Sequence, residues 1–589
     1  MGGFPTTTMK ADLCVVGGGM AGLCAAVAAA RQGAKVALMH ERPVLGGNAS
    51  SECRVHIGGA DVHNSRKNMR ETGILEEIRL ENLARNPNRS YSIWDLILFE
   101  TVRREPNIEL LLNCACVDAA MDGGRIASVA GWQLTTQTWR KVEAKIFADC
   151  SGDGALAPLT GADFRMGREA RSEYGEPIAP ETADARTMGM TCLFQARQFE
   201  RPQPFDPPAW AETYERCEDL PYGARGHRWW TMGYWWVELG GEADSIRDTE
   251  QVRDELLRIV FGVWDHIKNR CPHTAEAKNW ALDWIQFLPG KRESRRYAGA
   301  HVLTQRDVEA GGLFEDIVAY GGWSMDDHHP AGFRAVKLGA PPTIFHPAPS
   351  PYGIPYRCLY SRNVPNLMFA GRVASATHAA MSSARVMGTC CSMGQALGTA
   401  AAMAVGRGIE PAGVLAHIPE LQQRLIADDA YVPGILQQIP AATAEAELTA
   451  SRGDPEPVRD GINRPVGDAV HAWTGGPGDW LVYRFTPPLR DPVVSLVLDS
   501  ALDRNIVMSD HQKDDQLSAP PDVMPKAFRL ETRTPGGSWQ EQACATDNIQ
   551  RHVRFALSGE VEALRFTLDA TWGAPQSRVY AFWAYAPPE

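Results

Sequence analysis

The first clear pattern along the chain is an apolar segment, a run of glycines and an alanine-rich segment. The consecutive apolar residues Leu13–Val16 predict a buried strand, and Leu23–Arg31 predicts a helix rich in alanine. Lys35–Met39 predicts a second strand directly after it. A strand, a helix and a second strand in this order are typical of a βαβ unit, so the pattern predicts an α/β fold with a parallel sheet.

Three glycines join the first strand to the helix in the spacing G-x-G-x-x-G. Gly17 allows the strand to turn tightly, Gly19 allows the backbone to approach a pyrophosphate, and Gly22 allows close packing of the helix on the sheet. Glu41 follows Gly22 by 19 residues, where an acid that binds a ribose hydroxyl is expected. The combination predicts a Rossmann-like dinucleotide-binding domain.

A region of different character follows between residues 161 and 300. The apolar positions of 248–268 recur every three or four residues and predict an amphipathic helix. The region is also rich in tryptophan, at Trp229, Trp230, Trp235, Trp236, Trp264, Trp280 and Trp284. We interpret it as an inserted α+β cap domain, in which the tryptophans either form its core or stack on a substrate.

The pattern changes again after residue 410. Residues 411–445 predict helices, and Ser451–Gly478, rich in Pro, Gly and Asp, predicts a linker. Short alternating segments then predict the strands of an all-β sandwich, either a sugar-binding module or a structural support: Leu481–Phe485, Val493–Leu498, Phe528–Thr532, Val553–Leu557, Leu564–Leu568 and Val579–Tyr585. The predicted domains are therefore residues 1–160, 161–300, 301–450 and 451–589.

Composition and charge exclude several classes of protein. The chain has 71 acidic and 59 basic residues among 589, a net charge of −12, which argues against a general binder of nucleic acid or anionic membranes. No apolar run is long enough to span a membrane, and Met1–Lys10 lacks the apolar core of a signal peptide. We therefore expect a cytoplasmic protein that is not membrane-bound, with residues 1–9 as a loose leader.

The 13 cysteines do not predict a disulfide framework, because their number is odd and their spacing irregular. Cys114 and Cys116 share one face of a predicted strand, Ile108–Val117, but small buried residues explain them better than a metal site. Cys390 and Cys391 lie at the start of an alanine-rich helix, where small residues pack, and this explains them better than a redox-active pair near a flavin. The sequence therefore predicts no metal site.

Further motifs carry a resemblance to a known family. Gly46-Gly47-Asn48 follows the ribose acid, 148–154 resembles an A-T-G-D-G turn, and 366–372 leads into an alanine-rich helix that contains 394–401. With the glycine turn, they resemble the FAD-dependent oxidoreductases of the glutathione reductase and fumarate reductase superfamily. The resemblance implies a Rossmann-like FAD-binding domain with the inserted cap and the C-terminal sandwich.

The resemblance also implies which residues contact FAD. In that family the segment after the ribose acid runs past the pyrophosphate, and the late helix points its N-terminus at the flavin. The matching positions of this chain are Gly17, Gly19, Met20, Ala21, Gly22, Glu41, Arg42, Gly46, Gly47, Asn48, Ser50, Val117, Gly152, Asp153, Gly371, Arg372, Gly394, Gln395 and Ala396.

Candidate acid–base residues lie in two segments. Related sequences carry an Asp-x-His-x-Pro pattern, onto which Asp326, His328 and Pro330 fall, so His328 is a candidate base oriented by Asp326. His329 is an alternative in the same segment, on the opposite face of an extended chain.

His378 is the second candidate base, since its segment is expected to cross the flavin, and Arg385 is expected to stabilise an anionic flavin or a substrate oxygen. Arg292, Arg295 and Arg296 either bind substrate or form an internal salt-bridged strut with Glu293.

These observations predict a flavoenzyme that oxidises the carbinol C–H of a sugar, glycoside or polyol by hydride transfer to flavin N5. Two alternatives remain: a reductase of an activated C=C bond that uses an arginine as proton donor, and a flavin-bound glycan-binding protein without turnover. The expected partners are a small-molecule substrate and an electron acceptor. The electron acceptor, the oligomeric state and a covalent link to FAD stay open.

Overall fold

A computed structural model describes residues 3–223, 226–227, 230–231, 233–509 and 515–586. The chain divides into two compact units. The first consists of Met1–Val62, Trp94–Leu421 and Val507–Lys513, and the second of His63–Ile93, Gln422–Ile506 and Asp514–Glu589.

A seven-stranded mixed sheet organises the first unit. Its strands, in spatial order, are Ile108–Leu111, Val36–Met39, Thr6–Val16, Thr138–Asp149, Arg125–Gln133 and Cys114–Asp122, and Leu367–Phe369 also pairs with Thr138–Asp149. Thr6–Val16 pairs in parallel with both of its neighbours. The sheet confirms the predicted α/β architecture.

Two details of this sheet differ from the sequence prediction. The first strand begins at Thr6 rather than Leu13, and Thr6 pairs with Trp139, so residues 6–9 form part of the sheet rather than a loose leader. The predicted strand Ile108–Val117 is interrupted after Leu111, and its two halves join different neighbours. Periodicity alone missed this break because both halves are apolar.

The middle of the chain forms small antiparallel sheets and helices, as expected for an inserted α+β region. Its paired strands are Met190–Thr191 with Glu238–Leu239 and Gly290–Lys291, Phe194–Gln198 with Trp280–Ile285, and Phe164–Arg165 with Arg296–Tyr297. Further on, Ile317–Gly321 pairs with Tyr352–Pro355 and Met325–His328 with Thr343–His346.

The tryptophans of this region mainly form its core. Trp230, Trp236 and Trp264 are buried in one apolar cluster, and Trp235, Trp280 and Trp284 pack against it. Trp229 lies outside the described residues. The predicted amphipathic helix is Thr249–Asp265, and it continues into a π-helical turn, His266–Arg270.

The other helices of the first unit lie on the sheet or connect its segments. They are Met20–Arg31, Leu156–Thr160, Arg171–Tyr174, Thr274–Ala277, Gln305–Glu309, His378–Ala384 and Met387–Arg407, and Tyr91–Arg103 and Ile418–Ala427 cross the division between the units. Short 3-10 turns include Gly47–Ala49, Cys217–Asp219, Gly332–Leu338, Tyr356–Cys358 and Pro411–His417.

The second unit contains the predicted β-sandwich. One sheet has the order Glu447–Ala450, Trp480–Arg490, Glu560–Thr571, Pro525–Arg533 and Gln540–Ala545, and the other has the order Trp473–Gly475, Ser577–Tyr585, Val493–Leu498 and His552–Ala556. The alternating residues Phe528 and Leu530, like Leu564 and Phe566, are buried in its core, as their pattern predicts.

The boundary predicted at residue 451 requires correction. Strand Glu447–Ala450 pairs with Trp480–Arg490, and the predicted linker contributes the strand Trp473–Gly475 and the buried side chain of Val458. The helices Ile74–Arg85 and Ala441–Glu445 also belong to this unit. The sequence analysis could not assign His63–Ile93 to this unit, because more than 300 residues of the chain separate this segment from the sandwich strands.

Among the described residues, we find no helix with the length and apolar character needed to cross a membrane.

Candidate functional site

The glycine turn after strand Thr6–Val16 is shaped by contacts that exclude side chains. Gly17 has φ +104°, and a Cβ there would lie 2.4 Å from the carbonyl carbon of Cys150. A Cβ on Gly22 would lie 1.8 Å from the Gly17 carbonyl oxygen. At Gly19 a Cβ would have only the Cα of Gly47 within reach, at 3.9 Å. Gly17 and Gly22 are therefore required by packing, whereas Gly19 borders open space.

A second glycine turn faces the first. Gly46 forms a parallel bridge with Gly19, and the Gly46 N–H donates to the Gly18 carbonyl at 2.9 Å. A Cβ on Gly47 would lie 3.1 Å from the Gly19 Cα. The Ser50 hydroxyl donates to the Gly47 carbonyl at 2.7 Å and holds the turn. Two backbones without side chains thus enclose a cleft at the N-terminus of helix Met20–Arg31.

His40 holds this turn through hydrogen bonds, and the sequence analysis did not identify His40. The Gly18 N–H donates to His40 Nδ1 at 3.0 Å, and His40 Nε2 donates to the Val44 carbonyl at 3.0 Å. Desolvation lowers the pKa of His40 to about 4, since the ring is buried and Arg42 is close. His40 is therefore neutral near pH 7, as the bond from Gly18 requires.

The candidate ribose acid lies two residues after strand Val36–Met39. Glu41 is exposed, and Arg42 is half-buried between Glu41 and Glu52, with nitrogen–oxygen distances of 3.6 Å to each. Val117 is 48% exposed and occupies an irregularity in the pairing of Cys114–Asp122 with Arg125–Gln133. The carboxylate of Glu41 is therefore accessible to a ligand hydroxyl.

A polar cluster borders the second glycine turn. Lys291 Nζ lies 2.6 Å from Asp153 Oδ2, and the Lys291 carbonyl accepts bonds from Asn48 Nδ2 at 3.1 Å and Arg372 Nη1 at 2.8 Å. A Cβ on Gly152 would lie 2.4 Å from Arg372 Nη2. The segments predicted to contact FAD at positions 48, 152, 153 and 372 are therefore close together in space.

The late helix, Met387–Arg407, meets the first helix through glycines. A Cβ on Gly394 would lie 2.1 Å from the Ala21 carbonyl oxygen, and a Cβ on Gly398 would lie 2.1 Å from that of Ala25. Gly371 also approaches this contact, since its Cβ would lie 3.2 Å from the Ala21 Cβ. Gly394 thus serves helix packing.

This contact corrects the sequence interpretation of the late helix. Gln395 and Ala396 are buried in its middle, whereas the N-terminal end, which carries the positive helix dipole, lies at Met387–Thr389. Thr389 Oγ1 is buried there without a hydrogen-bond partner among the described residues.

These features fit a dinucleotide cofactor. The paired glycine turns bring half-buried backbone without side chains, at Gly19 and Gly47, to a helix N-terminus, as a pyrophosphate requires. The buried Asp153 Oδ1 and Thr389 Oγ1 atoms accept no hydrogen bond from the described residues, so polar groups of a ligand would satisfy them.

The first candidate base, His328, lies between two carboxylates. Its Nδ1 is 2.6 Å from Glu238 Oε2, and its Nε2 is 3.2 Å from Asp326 Oδ2. Glu238 is buried and also accepts the Gly189 N–H at 2.9 Å, while Asp326 accepts the Thr343 hydroxyl at 2.6 Å. The pair Asp326–His328 is present, and Glu238 is an additional partner.

The second candidate base, His378, has the same arrangement. Its Nδ1 is 2.8 Å from Glu293 Oε2, and its Nε2 is 3.1 Å from Asp327 Oδ1. Its backbone N–H donates to Glu169 Oε2 at 2.9 Å. Because Asp326 and Asp327 point to opposite faces of one strand, they bind different histidines, and the strand joins the two groups.

The remaining predicted residues of this region have different surroundings. His329 Nδ1 accepts the Ala331 N–H at 3.2 Å within its own loop, so no described bond joins it to either histidine pair. Arg385 Nη2 donates to the Asp326 carbonyl at 3.1 Å, and its buried Nε has no hydrogen-bond partner among the described residues.

Of the three arginines near Glu293, Arg296 forms the internal strut with it, and the other two have different partners. Arg296 binds both Glu293 and Glu169 and is almost fully buried. Arg292 lies 3.4 Å from Glu238 and donates to Thr191 Oγ1 at 2.5 Å. Arg295 instead stacks over Phe164 at 5.5 Å. Arg292 and Arg296 thus balance the two buried glutamates.

The local charges keep the carboxylates ionised. Burial alone would raise the pKa of Asp326. The charges of His328 and Arg385 lower it by more than burial raises it, so the pKa lies well below its usual range. For Glu238, Arg292 and His328 likewise outweigh burial and lower the pKa. Asp326, Asp327 and Glu238 are therefore hydrogen-bond acceptors near pH 7.

Tyr222 is a further candidate that sequence reasoning missed. It is 46% exposed, and desolvation together with the charges of Asp326 and Glu238 raises the pKa of its phenol to about 12. A neutral phenol near this group can donate a hydrogen bond to a ligand. Neither Tyr222 nor Glu238 belongs to a recognisable motif, and only the folded chain brings them to His328.

Comparisons with known proteins indicate the family of the chain. A family model described as FAD dependent oxidoreductase matches residues 12–425. No curated protein matches the chain.

Solved structures also match the chain, at low sequence identity and low TM-score. A geranylgeranyl bacteriochlorophyll reductase-like protein from Thermoplasma acidophilum is 11% identical, with 72% of this chain and 88% of that chain covered and a TM-score of 0.31. A variant of E. coli quinol fumarate reductase FrdA is 14% identical, with coverage of 72% and 75% and a TM-score of 0.28. The family 32 carbohydrate-binding module of Streptococcus pneumoniae EndoD is 14% identical, with coverage of 25% and 98% and a TM-score of 0.19.

Proposed function

Because the chain belongs to the family of FAD dependent oxidoreductases, we propose that it oxidises the carbinol carbon of a neutral polyhydroxylated substrate, such as a sugar, glycoside or polyol. FAD, the cofactor of this family, supplies the two-electron acceptor. The chain itself must bind and orient the alcohol and remove its hydroxyl proton. The following observations support this division of roles.

The observation that carries the proposal is the pair of carboxylate–imidazole–carboxylate groups. In each, the Nδ1 side faces a buried glutamate at 2.6 or 2.8 Å, and the Nε2 side faces an aspartate at 3.2 or 3.1 Å. The aspartate side chains, at 14% and 22% exposure, are more accessible than the glutamates. Between two carboxylate acceptors, each imidazole can donate from both of its nitrogens. In the neutral ring that acts as a base, the glutamate holds the proton on Nδ1, and Nε2 can accept a proton from a hydroxyl bound between it and the aspartate.

A substrate hydroxyl can therefore approach the Nε2 side of His328 or His378 and donate its proton there. Asp326 and Asp327, on that side, would accept hydrogen bonds from neighbouring hydroxyls of the same substrate. The phenol of Tyr222 offers a donor nearby. A polyol carries several neighbouring hydroxyls that can donate to these carboxylates, whereas an isolated alcohol carries only one.

The charge balance also supports a neutral substrate. Arg292, Arg296 and Arg385 all bind carboxylates or carbonyls of the chain itself. Five carboxylates surround the two histidines: Glu169, Glu238, Glu293, Asp326 and Asp327. A dicarboxylate would meet repulsion from them.

Reduction of an activated C=C bond is the second candidate, and one observation favours it. The buried Arg385 Nε has no hydrogen-bond partner among the described residues, as a proton donor or anion-binding group would require before the substrate arrives. That alternative needs arginines available to hold the substrate, and two of the three nearby arginines are paired with buried glutamates.

Anaerobic flavin spectroscopy distinguishes these candidates. The FAD-loaded protein is mixed with sugars, polyols, amines and dicarboxylates, and the visible flavin band is followed in the absence of oxygen. We expect bleaching by a polyhydroxylated compound. Reoxidation of the dithionite-reduced protein by an enoate, with no bleaching by any alcohol, would support the reductase instead. Absence of both reactions would contradict each activity.

A further inference from the structure

A cluster of four buried metal-ligand side chains lies in the middle region, apart from the residues described above. The geometry points to a structural zinc site formed by Cys217, His227, His266 and Cys271. One potential ligand atom from each residue lies within 4.8 Å of all the others, and all four residues are buried. No other cluster of this kind occurs in the described part of the chain.

Four of the six distances between the ligand atoms lie close to those of tetrahedral coordination. The two sulfur atoms are 3.8 Å apart. Cys217 Sγ lies 3.6 Å from Nε2 of both His227 and His266, and Cys271 Sγ lies 3.3 Å from His227 Nε2. A tetrahedral Zn²⁺ with Zn–S of about 2.3 Å and Zn–N of about 2.0 Å separates its two sulfurs by about 3.8 Å and sulfur from nitrogen by about 3.5 Å. The sulfurs are also too far apart for a disulfide.

The outer hydrogen bonds orient both imidazoles toward the centre of the cluster. His227 Nδ1 donates to the Gly223 carbonyl at 2.9 Å, and His266 Nδ1 donates to the Tyr214 carbonyl at 2.9 Å. These bonds fix the proton on Nδ1 and leave the Nε2 lone pair directed at the other ligands, as in known metal sites. The His273 N–H donates to Cys271 Sγ at 3.4 Å, a bond that would stabilise a thiolate.

The local backbone explains how residues so far apart in sequence meet. His266 and Cys271 bracket the π-helical turn His266–Arg270, whose Cys271 N–H to His266 carbonyl bond is 2.7 Å long. A π-turn brings positions five apart toward one face, whereas an α-helix would separate them. Cys217 begins the 3-10 turn Cys217–Asp219, and His227 follows in the next loop.

The ligand set identifies the metal and its role. Two thiolates and two imidazoles in tetrahedral positions are typical of zinc, and four protein ligands leave no position for substrate. The ion would tie Cys217 and His227 to the end of helix Thr249–Asp265. The sequence predicts no metal site because the four ligands span 55 residues without a compact C-x-x-C motif, and only the fold assembles them.

Elemental analysis of the full-length, FAD-loaded protein tests this inference. The protein is produced with zinc in the medium, desalted, and its zinc and FAD contents per chain are measured. We expect about one zinc per chain, and X-ray absorption should give two sulfur and two nitrogen neighbours at about 2.3 and 2.0 Å. A wild-type protein with FAD bound but less than about a tenth of an equivalent of zinc, including after incubation with ZnCl₂, would overturn it.

Matched variants connect the metal to these residues. Cys217→Ser and His266→Ala should lose most of the zinc, whereas Cys192→Ser should retain it, since Cys192 is buried in the same region but lies outside the cluster. His227→Cys should also retain zinc, because a thiolate can replace the imidazole.

A disulfide between Cys217 and Cys271 in the purified protein, or full zinc in both ligand variants, would contradict the site. The FAD content is recorded throughout, so that failure of the zinc site is distinguished from failure of the proposed oxidoreductase function.

Discussion

The Nδ1 atom of His328 lies 2.6 Å from the Oε2 atom of Glu238, a residue 90 positions earlier in the chain. Glu293 occupies the same position toward His378, at 2.8 Å. Both glutamates are buried and bound by arginines, so neither can move away from its histidine without leaving a buried charge unpaired. This relationship makes the glutamates positioning residues of the site.

Replacement of these glutamates should therefore impair turnover more than FAD binding. Glu238→Gln and Glu293→Gln each retain the size of the side chain but remove the charge that favours Nδ1–H. We expect each to slow flavin reduction by a good substrate by about 10²-fold or more and to shift its pH profile. The control is Glu255→Gln, an exposed partner of Arg334, which should reduce at the wild-type rate.

Two glycines of one helix should respond oppositely to alanine. A Cβ on Gly394 would lie 2.1 Å from the Ala21 carbonyl oxygen, whereas a Cβ on Gly406 would have no atom within 4 Å. Gly394→Ala should separate the two helices and lower both the unfolding temperature and the FAD content. Gly406→Ala should be neutral or stabilising by up to about 1 kcal/mol, since alanine favours the helix.

Thermal unfolding and the flavin-to-protein absorbance ratio measure both variants. Wild-type values for Gly394→Ala would show that the helices tolerate the side chain and that the packing role is wrong.

Acidification should destabilise the protein through His40. Its pKa is lowered from 6.5 to about 4 in the folded chain, so the unfolded chain binds the proton first as the pH falls. Neutral His40 therefore contributes about 3 kcal/mol to the free energy of unfolding. This contribution is fully present above pH 6.5 and is lost as the pH falls from 6.5 to about 4.

In His40→Gln, the glutamine amide can accept a hydrogen bond from the Gly18 N–H and donate one to the Val44 carbonyl, and it does not titrate in this range. The difference in unfolding midpoint between wild type and His40→Gln, measured from pH 7 to pH 4.5, should shrink as the pH falls. A constant difference across that range would exclude His40 as the titrating group.

The second unit should depend on a buried ion pair from the N-terminal half of the chain. Arg70 and Glu76 are both buried, and Arg70 also donates to the carbonyls of Ser500 and Ala501 at 3.0 and 3.1 Å. Arg70→Ala should destabilise this unit by about 3–5 kcal/mol, because Glu76 would remain as a buried, unpaired charge.

The surface pair of Lys67 with Asp515 provides the comparison, and Lys67→Ala should cost less than about 1 kcal/mol. Denaturant unfolding measures both. Equal effects of the two substitutions would contradict the assignment of 63–93 to the core of this unit.

The sequence predicts the parts of the fold that depend on local pattern. The glycine turn, the first helix and the sandwich strands follow from spacing and alternation, and Asp326 meets His328 because residues two apart share a strand face. Glu238, Glu293 and Tyr222 carry no local signal, since their role arises from long-range contacts. The same holds for the zinc ligands and for the segment 63–93.

The most direct test of the proposed activity is the rate of anaerobic flavin reduction by a polyhydroxylated substrate in wild type, His328→Ala, His378→Ala and His329→Ala. We expect a loss of about 10² to 10⁴-fold for the histidine that accepts the hydroxyl proton, with FAD content retained, and a smaller effect for His329→Ala. Wild-type rates in both His328→Ala and His378→Ala would contradict the account, because neither imidazole would then be the base.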